Sequence, residues 1–270
     1  MAWREIGDRV YVRRHESFDL NVGLVVGDGA CLVVDTRASH AEAADLVTAI
    51  RRVTPHPWLV VNTHAHFDHY FGNAVLRPAP IWAHRRCATV IAESGEAHRR
   101  AAIAEYGRAV ELSEVIVTPP DHLVDQSTTL DLGGRAVTLA HLGRGHTDND
   151  LVVSVADAVF AGDLVEQGAP PAFEDAYPLD WPVTVGGLLG LVTGPVVPGH
   201  GDVVDLEFVA GQAAALTTIA ELATAAYRAG RPVDAGLPGS PFPPEVTRTA
   251  VARAYRQLST GDHEARTSPP

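Results

Sequence analysis

The hydrophobic residues of this chain fall into short runs separated by turn residues, a pattern that predicts alternating strands and helices. Short apolar or β-branched runs bounded by Gly, Pro or Asp predict strands, at residues 9–13, 22–26, 31–35, 58–62, 128–131, 136–142, 151–155, 158–161 and 195–197. Longer stretches with apolar residues at helical spacing predict helices, at residues 39–52, 85–110, 181–192, 212–229 and 245–258. Ser39 is the predicted N-cap of the first helix, and Gly27-Asp28-Gly29 and Gly133-Gly134 predict hairpin turns.

The chain divides into two successive halves, each with a group of strands followed by helices. This order predicts an α/β protein built as a four-layer αββα sandwich. No segment between the halves has the composition of a flexible linker, so we predict a single domain over residues 1–260 with a helical C-terminal region. The Pro- and Gly-rich residues 230–244 predict a loop, and residues 261–270 a disordered tail.

The composition argues against several classes of function. Hydrophobic residues make up 46% of the 270 residues, enough for a sizeable core. The formal net charge is −12 and no basic run is longer than two residues, which argues against nucleic acid as a partner. All 21 basic residues are Arg, so Schiff-base chemistry on Lys is excluded.

Cysteine use and the distribution of apolar residues predict a cytoplasmic protein. Cys31 and Cys87 form no CxxC pair, which favours two small buried side chains over a disulfide framework or a zinc ribbon. We see neither the apolar core of a signal peptide nor an uncharged apolar run of about 18 residues. We therefore expect no membrane partner, and the sequence makes no prediction of the oligomeric state.

Four side chains that bind metals lie within six residues, directly after the buried strand predicted at 58–62: His64, His66, Asp68 and His69. Neutral imidazole and carboxylate groups suit borderline divalent cations such as Zn²⁺. In a strand, three of the four would share one face. A sharp turn would instead let the segment serve two cations, with two ligands for each. A lone histidine is usually an ordinary core or surface residue, but ligands packed this densely require a cation or water.

The segment His64-Ala65-His66-Phe67-Asp68-His69 resembles the HxHxDH signature of the metallo-β-lactamase fold superfamily. Three further matches follow in the order of that family: Gly145-His146-Thr147, Phe160-Ala161-Gly162-Asp163 and Pro198-Gly199-His200-Gly201. Asp35, at the end of a predicted strand, resembles an early Asp of the family. The resemblance covers about residues 8–205 and implies the αββα sandwich of this superfamily.

The resemblance implies a binuclear zinc site that activates water. It assigns His64, His66 and His146 to the first ion, Asp68, His69 and His200 to the second, and Asp163 to a position bridging both. Two such ions about 3.5–4 Å apart can share a hydroxide and stabilise a developing oxyanion. Asp68 would then handle the proton. Iron or manganese are alternatives to zinc at such ligands.

Four other positions each have a functional and an ordinary interpretation. Asp35 would hold a ligand imidazole by a hydrogen bond, or else cap the turn at Thr36. Phe67 and Tyr70 would wall a substrate pocket or simply pack in the core. Arg144 would bind a substrate carboxylate or be a solvated surface residue.

The fold implied by the resemblance serves several reactions, so it does not identify the substrate. We expect a metal-dependent hydrolase of a small-molecule carboxyl ester, thioester, lactone or lactam. One alternative is a mononuclear iron sulfur dioxygenase on the same fold, which would use one metal position. Another is a non-catalytic binding module, whose mark would be lost ligands, and none of the seven is lost.

Overall fold

The computed structural model describes residues 2–107 and 111–262, and two facing β-sheets form its centre. Within these residues the first sheet has seven strands in chain order: β1 (Arg4–Gly7), β2 (Val10–Arg14), β3 (Asn21–Val26), β4 (Cys31–Val34), β5 (Trp58–Val61), β6 (Ile81–His84) and β7 (His122–Val124). The strands β1 to β4 pair antiparallel, and β4 to β7 pair in parallel. The carboxyl ends of β4 and β5 therefore lie side by side.

In the described part of the chain, the second sheet contains β8 (Ser127–Asp131), β9 (Ala136–Ala140), β10 (Val152–Val155), β11 (Ala158–Glu166) and β12 (Val196–His200). Its strand order is β12-β11-β10-β9-β8, antiparallel except for the parallel pair β11 and β12. Apolar side chains of both sheets meet in one core cluster, with Leu32 and Val61 from the first and Val153 and Phe160 from the second. The sheets approach so closely that a Cβ on Gly23 would lie 2.3 Å from the Phe160 ring.

Helices cover the outer faces of both sheets. Over residues 2–107 and 111–262 they are α1 (His40–Arg51), α2 (Phe67–Tyr70), α3 (Asn73–Leu76), α4 (Arg85–Tyr106), α5 (Trp181–Leu189), α6 (Leu206–Arg228) and α7 (Pro244–Thr260). The helix α1 buries Leu46 and Ile50 against the first sheet. The helices α5, α6 and α7 bury their apolar faces against the second sheet. The predicted αββα sandwich is confirmed.

Most predicted elements are confirmed, and the differences have local causes. Ser39 accepts the backbone N–H of Glu42 at 3.3 Å, as expected of an N-cap. The helix α6 begins six residues earlier than predicted, because the Asp205 carboxylate caps it by accepting the Phe208 N–H at 2.9 Å. The strand β11 runs to Glu166, five residues beyond the prediction, because it is buried along its whole length. The pattern does not predict the short strands β1, β6 and β7.

Two predicted segments end outside the described residues. The helix predicted over 85–110 is observed to Tyr106, and residues 108–110 are not described. Of the predicted tail, Gly261 ends α7 with a left-handed backbone. Asp262 accepts a hydrogen bond from Arg144 at 2.5 Å, while residues 263–270 are not described. The first two residues of the predicted tail are therefore exposed but ordered by α7 and by the pair with Arg144.

The long helix α6 is apolar enough, by length and composition alone, to cross a membrane. In this structure its Leu216 and Ile219 are fully buried in the core cluster of the second sheet, α5 and α7. Packing against the sheet thus accounts for the apolar face of the helix. Cys31 and Cys87 are buried and free, as the sequence predicts.

Candidate metal centre

Segments of both sheets bring histidine and carboxylate side chains to one end of the sandwich. Asp35 follows β4 and the histidine-rich segment follows β5, and these strands are parallel neighbours. Asp163 lies within β11 and His200 ends β12, the parallel pair of the second sheet. His146 comes from the loop between β9 and β10. Because the carboxyl ends of parallel strands meet at one edge, residues distant in sequence converge there.

Residues 64–69 do not form a strand. After β5 the chain turns, and residues 67–70 form the single helical turn α2. The turn separates the two halves of the segment, so that each half contributes to a different group of ligands, the second of the two predicted arrangements. Among the described residues the groups are His64, His66, His146 and Asp163 in the first, and Asp68, His69 and His200 in the second. Within each group the candidate ligand atoms all lie within 4.8 Å of one another.

Asp163 faces both groups. Its Oδ2 lies 3.5 Å from His146 Nε2 and 3.6 Å from His64 Nε2 in the first group. The same carboxylate lies 3.2 Å from His200 Nε2 and 3.3 Å from His69 Nε2 in the second. This is the position that a bridging carboxylate requires, as the resemblance implies.

The remaining ligand atoms complete each group. In the first, His66 Nδ1 lies 2.9 Å from His146 Nε2. In the second, Asp68 Oδ2 lies 3.5 Å from His200 Nε2 and 3.7 Å from His69 Nε2. The structure thus brings together all seven residues that the sequence selects.

Buried polar atoms without partners show that the residues fit bound cations. His64 Nε2, His69 Nε2 and Asp163 Oδ1 are buried and have no hydrogen-bond partner within residues 2–107 and 111–262. Leaving such groups unsatisfied is costly, and each points toward the other ligand atoms of the two groups. Imidazole nitrogen and carboxylate oxygen are the donors that Zn²⁺ and similar ions take. Each group therefore holds a donor set suited to a divalent cation.

Asp35 is bound to a ligand imidazole, as predicted. Its Oδ2 lies 2.8 Å from His69 Nδ1. The backbone N–H and the hydroxyl of Thr63 each donate to the same carboxylate at 2.8 Å. With Nδ1 of His69 engaged by a carboxylate, the Nε2 lone pair is directed toward the second group.

Three more of the ligand imidazoles have a hydrogen-bond partner on the ring nitrogen that faces away from the ligand groups. His64 Nδ1 lies 3.0 Å from the Thr63 hydroxyl, His200 Nδ1 donates to the Phe18 carbonyl at 2.6 Å, and His66 Nε2 lies 2.9 Å from Asp175 Oδ2. The outer nitrogen of His146 differs: it faces Glu166 Oε1 at 3.9 Å, too far for a hydrogen bond. Such outer partners set the tautomer and the ring orientation of a metal-binding histidine.

The protonation of the centre follows from its carboxylates. Although burial lowers it, Asp163 and Asp68 raise the pKa of His200 to about 10. In the same way, against burial, Asp163 and Asp68 raise the pKa of His69 well above its usual range. Burial lowers the pKa of His146 to about 4. Binding of cations would therefore release protons from His69 and His200, so the affinity of the site for cations should rise with pH.

Sequence reasoning misses several of these partners. Thr63 and Glu166 adjoin predicted motifs but carry no signal of their own. Phe18 acts through its backbone carbonyl, which any residue provides, and its own backbone is left-handed with φ 60°. Asp175 belongs to no motif, and only the return of its segment to the site reveals it.

Both interpretations of Arg144 are wrong. Its side chain is buried and pairs with Asp180 at 2.6 Å and with Asp262 at 2.5 Å. These partners come from the start of α5 and the end of α7, so the sequence around Arg144 contains no sign of them. The guanidinium ties the loop that carries His146 to the C-terminal helix.

The two aromatic candidates have different roles. Tyr70 is fully buried, so it packs in the core and is not a pocket wall. Phe67 is half-buried, and its ring lies 5.1 Å from that of Phe18 and 5.2 Å from that of Tyr106. Phe67 is therefore part of an aromatic cluster that directly precedes Asp68 in the chain.

Comparison with solved structures supports the fold. A metallo-β-lactamase from Pontibacter korlensis has a TM-score of 0.64 and 22% sequence identity, covering 80% of this chain and 98% of that one. The DIM-1 metallo-β-lactamase has a TM-score of 0.64 at 19% identity, covering 81% of this chain and 98% of that one. The FIM-1 metallo-β-lactamase from Pseudomonas aeruginosa, in a mono-zinc form, has a TM-score of 0.59 at 20% identity, covering 79% of this chain and 94% of that one.

Sequence comparison identifies the family. No curated protein sequence matches the chain. The sequence profile of the metallo-β-lactamase superfamily matches residues 18–203, which include the seven ligand residues and Asp35. From this match, the αββα fold and the assembled ligand groups, we conclude that the chain belongs to the metallo-β-lactamase superfamily.

Proposed function

We propose that this protein is a hydrolase that binds two zinc ions and cleaves a small-molecule carboxyl ester, thioester, lactone or lactam. The observation that supports it most is Asp163, whose carboxylate lies within 3.2–3.6 Å of imidazole nitrogens in both ligand groups. A single cation would leave one group of buried ligands without a partner. A pair of cations satisfies both.

Zinc ions in such a site lower the pKa of water to about 7 and stabilise developing negative charge on a carbonyl oxygen. The chain's own residues hold the ligands and handle the proton. Asp68 is 7% exposed, lies in the turn α2 and belongs to the second ligand group. Its carboxylate is the proton carrier in this proposal, because its Oδ2 lies 3.5 Å from His200 Nε2 and 3.7 Å from His69 Nε2, where the bound water would be held.

The donor set favours zinc. Five imidazoles and two carboxylates, without a thiolate, suit a borderline ion, and iron and manganese accept similar ligands. The second group, Asp68, His69 and His200, is complete, which disfavours the mononuclear iron dioxygenase. The complete set also disfavours a non-catalytic module.

Half-buried aromatic side chains beside the site favour an uncharged organic substrate. Phe18, Phe67 and Tyr106 form an aromatic cluster with ring centroids 5.1–5.2 Å apart. Phe67 directly precedes Asp68, and the Phe18 carbonyl binds His200. The cluster suits an apolar substituent next to the scissile bond. Together with the net charge of −12, it supports a small-molecule partner over nucleic acid.

A substrate panel with metal analysis tests the proposal. Chromogenic esters, thioesters, lactones and a cephalosporin are incubated with the purified protein, with and without a chelator. We expect two zinc ions per chain and turnover of at least one member that the chelator abolishes. One iron per chain with oxygen consumption on a persulfide would establish the dioxygenase instead.

Paired histidine variants assign the activity to this site. His146→Asn removes a ligand and is expected to lower turnover by about 100-fold or more. His122→Asn changes an exposed histidine on β7, outside both ligand groups, and is the matched control with unchanged turnover. Equal activity of the two variants would exclude the proposed site.

A further inference from the structure

The helix α7 lies outside residues 18–203, which match the superfamily, yet it binds the segment that leads from β11 to α5. Arg253 of α7 donates from Nη2 to the carbonyl of Asp175 at 2.6 Å and from Nε to the carbonyl of Ala176 at 2.9 Å. One turn further along α7, Gln257 accepts the N–H of Leu179 at 3.1 Å. The helix thus holds the backbone of this segment at three points.

The same segment reaches the first ligand group through Asp175. Its Oδ2 lies 2.9 Å from His66 Nε2, while His66 Nδ1 faces His146 Nε2 at 2.9 Å. An ionised carboxylate only accepts hydrogen bonds, so the contact places the imidazole proton on Nε2. The lone pair of Nδ1 is then directed into the first group.

Asp175 lacks the surroundings that hold the other carboxylate partner. The Asp35 side chain is 3% exposed and accepts two hydrogen bonds from Thr63. The Asp175 side chain is 55% exposed. An exposed pair contributes little by itself and can rearrange, so the geometry of Asp175 depends on how its backbone is fixed.

Arg253 supplies that restraint. A guanidinium presents its donors in a rigid fork, and here the fork engages two successive carbonyl groups. The Arg253 guanidinium also lies 5.7 Å from the ring of Tyr177, the next residue of the segment. Tyr177 in turn donates its N–H to the Gly145 carbonyl at 2.8 Å, next to His146.

We propose that Arg253 is a positioning residue of the metal centre: it holds Asp175 so that the Asp175 carboxylate orients His66 for the first cation. The inference rests on the proposed function, since it assumes that the two ligand groups bind cations. It extends the centre beyond the superfamily match, because the C-terminal helix becomes part of the first metal site. The contacts of Arg253 are with the backbone of this segment and with the Tyr177 ring, and in this proposal its effect on the first cation passes through Asp175.

Zinc affinity, measured by competition with a chromophoric chelator, tests this role separately for each ion. In a His200→Asn background only the first group is complete, and in a His146→Asn background only the second. We expect Arg253→Met to weaken zinc binding about 10–100-fold in the first background and to leave the second unchanged. Arg256→Met, an exposed arginine on the same helix, is the matched control and is expected to change neither.

A double variant tests whether the effect passes through Asp175. If it does, the double variant Arg253→Met with Asp175→Asn binds zinc in the first group no more weakly than Asp175→Asn alone. The Co²⁺ absorption spectrum of the first site should change in the same variants, since it reports ligand geometry. Arg253→Lys, which keeps the charge but loses the fork, should recover only part of the affinity, and it replaces Arg253→Met if that variant does not fold.

Several results would overturn the inference. The first is that Arg253→Met leaves the zinc affinity of the first group unchanged. The second is that it weakens zinc binding equally at both groups. The third is that the affinity losses of Arg253→Met and Asp175→Asn multiply in the double variant. A wild-type protein that binds no cations would contradict the proposed function itself. If the wild-type protein binds two ions and Arg253→Met binds them with the same affinity, only the role of Arg253 is contradicted.

Discussion

Asp35 and His69 are joined by a buried hydrogen bond of 2.8 Å between Asp35 Oδ2 and His69 Nδ1. Asp35 has a left-handed backbone with φ 66°, which aims its carboxylate back across the end of β5. Thr63 donates two hydrogen bonds to that carboxylate. The strand end is therefore shaped to present an acceptor to a ligand imidazole.

Replacing Asp35 by Asn should weaken the second cation selectively. Asn tolerates the left-handed backbone, but its amide can donate to His69 Nδ1 and so place the imidazole proton on Nε2, which faces the site. We expect a loss of about 10–100-fold in zinc affinity at the second position, measured by chelator competition. Asp234→Asn, an 85% exposed carboxylate remote from the site, is the control. Equal affinities in the two variants would contradict the role of Asp35.

Removing the cations should lower thermal stability. Without them, buried polar atoms such as His64 Nε2 and Asp163 Oδ1 have no hydrogen-bond partner among the described residues. At a thousandfold excess over Kd a bound ion contributes about 4 kcal/mol, which corresponds to a fall in Tm of about 10 °C on removal. Calorimetry before and after chelation measures the change. Zn²⁺ should restore Tm and Mg²⁺ should not, because Mg²⁺ prefers oxygen ligands; an unchanged Tm after complete removal would argue against the site.

Truncating Arg144 should destabilise the fold far more than truncating an exposed arginine. The Arg144 and Asp180 side chains are 10% and 7% exposed, so Arg144→Met removes the guanidinium that neutralises a buried carboxylate. We expect a loss of about 3–5 kcal/mol in the free energy of unfolding. Arg85 pairs with Asp125 at 55% and 65% exposure, and Arg85→Met should cost less than about 1 kcal/mol. Denaturant unfolding of both variants checks the contrast, and similar losses would refute it.

His15 should make the protein less stable as the pH falls. Burial, then the charges of Arg37 and Arg13, lower the pKa of His15 from 6.5 to about 2. Between these values the unfolded chain binds the proton and the folded protein does not. The free energy of unfolding therefore falls as the pH drops below 6.5, by up to about 1.4 kcal/mol per pH unit from this group.

Comparing His15→Gln with the wild type isolates that contribution. Both zinc-loaded proteins are unfolded with urea at about pH 7 and about pH 5. The decrease in the free energy of unfolding from the higher to the lower pH should be smaller in His15→Gln, since Gln takes up no proton in the folded or the unfolded state. Parallel pH profiles would show that His15 titrates alike in both states.

The sequence predicts the ligands better than their supports. The hexapeptide 64–69 contains four candidate ligands within six residues, and His146, Asp163 and His200 are recognised as candidates by the motifs around them. Asp35 is recognisable because it ends a strand. Asp175 has no such context: its contact with His66 spans 109 residues and depends on the packing of α7.

The sequence also fails to predict burial and pairing that depend on distant segments. Arg144 finds its partners 36 and 118 residues away, so no local pattern distinguishes it from a surface arginine. Strands β6 and β7 have only four and three residues, which is too short for a recognisable periodicity. In each case the missing information is which distant segment packs against the residue.

Gly199 should not tolerate a side chain, because of its position beside the bridging carboxylate. A Cβ there would lie 1.7 Å from Asp163 Oδ1, so Gly199→Ala must displace that carboxylate from its place between the ligand groups. We expect the variant to lose affinity for both cations together, whereas the Asp35 and Arg253 variants each weaken the binding of one cation.

Gly211→Ala provides the matched control: a Cβ on this exposed glycine of α6 has no atom of the described residues within 4 Å. Alanine at that helical position should be neutral or stabilising by up to about 1 kcal/mol. Zinc titration and thermal unfolding of the pair separate the two effects, and a Gly199→Ala protein that still binds two ions with wild-type affinity would show that Asp163 does not bridge them.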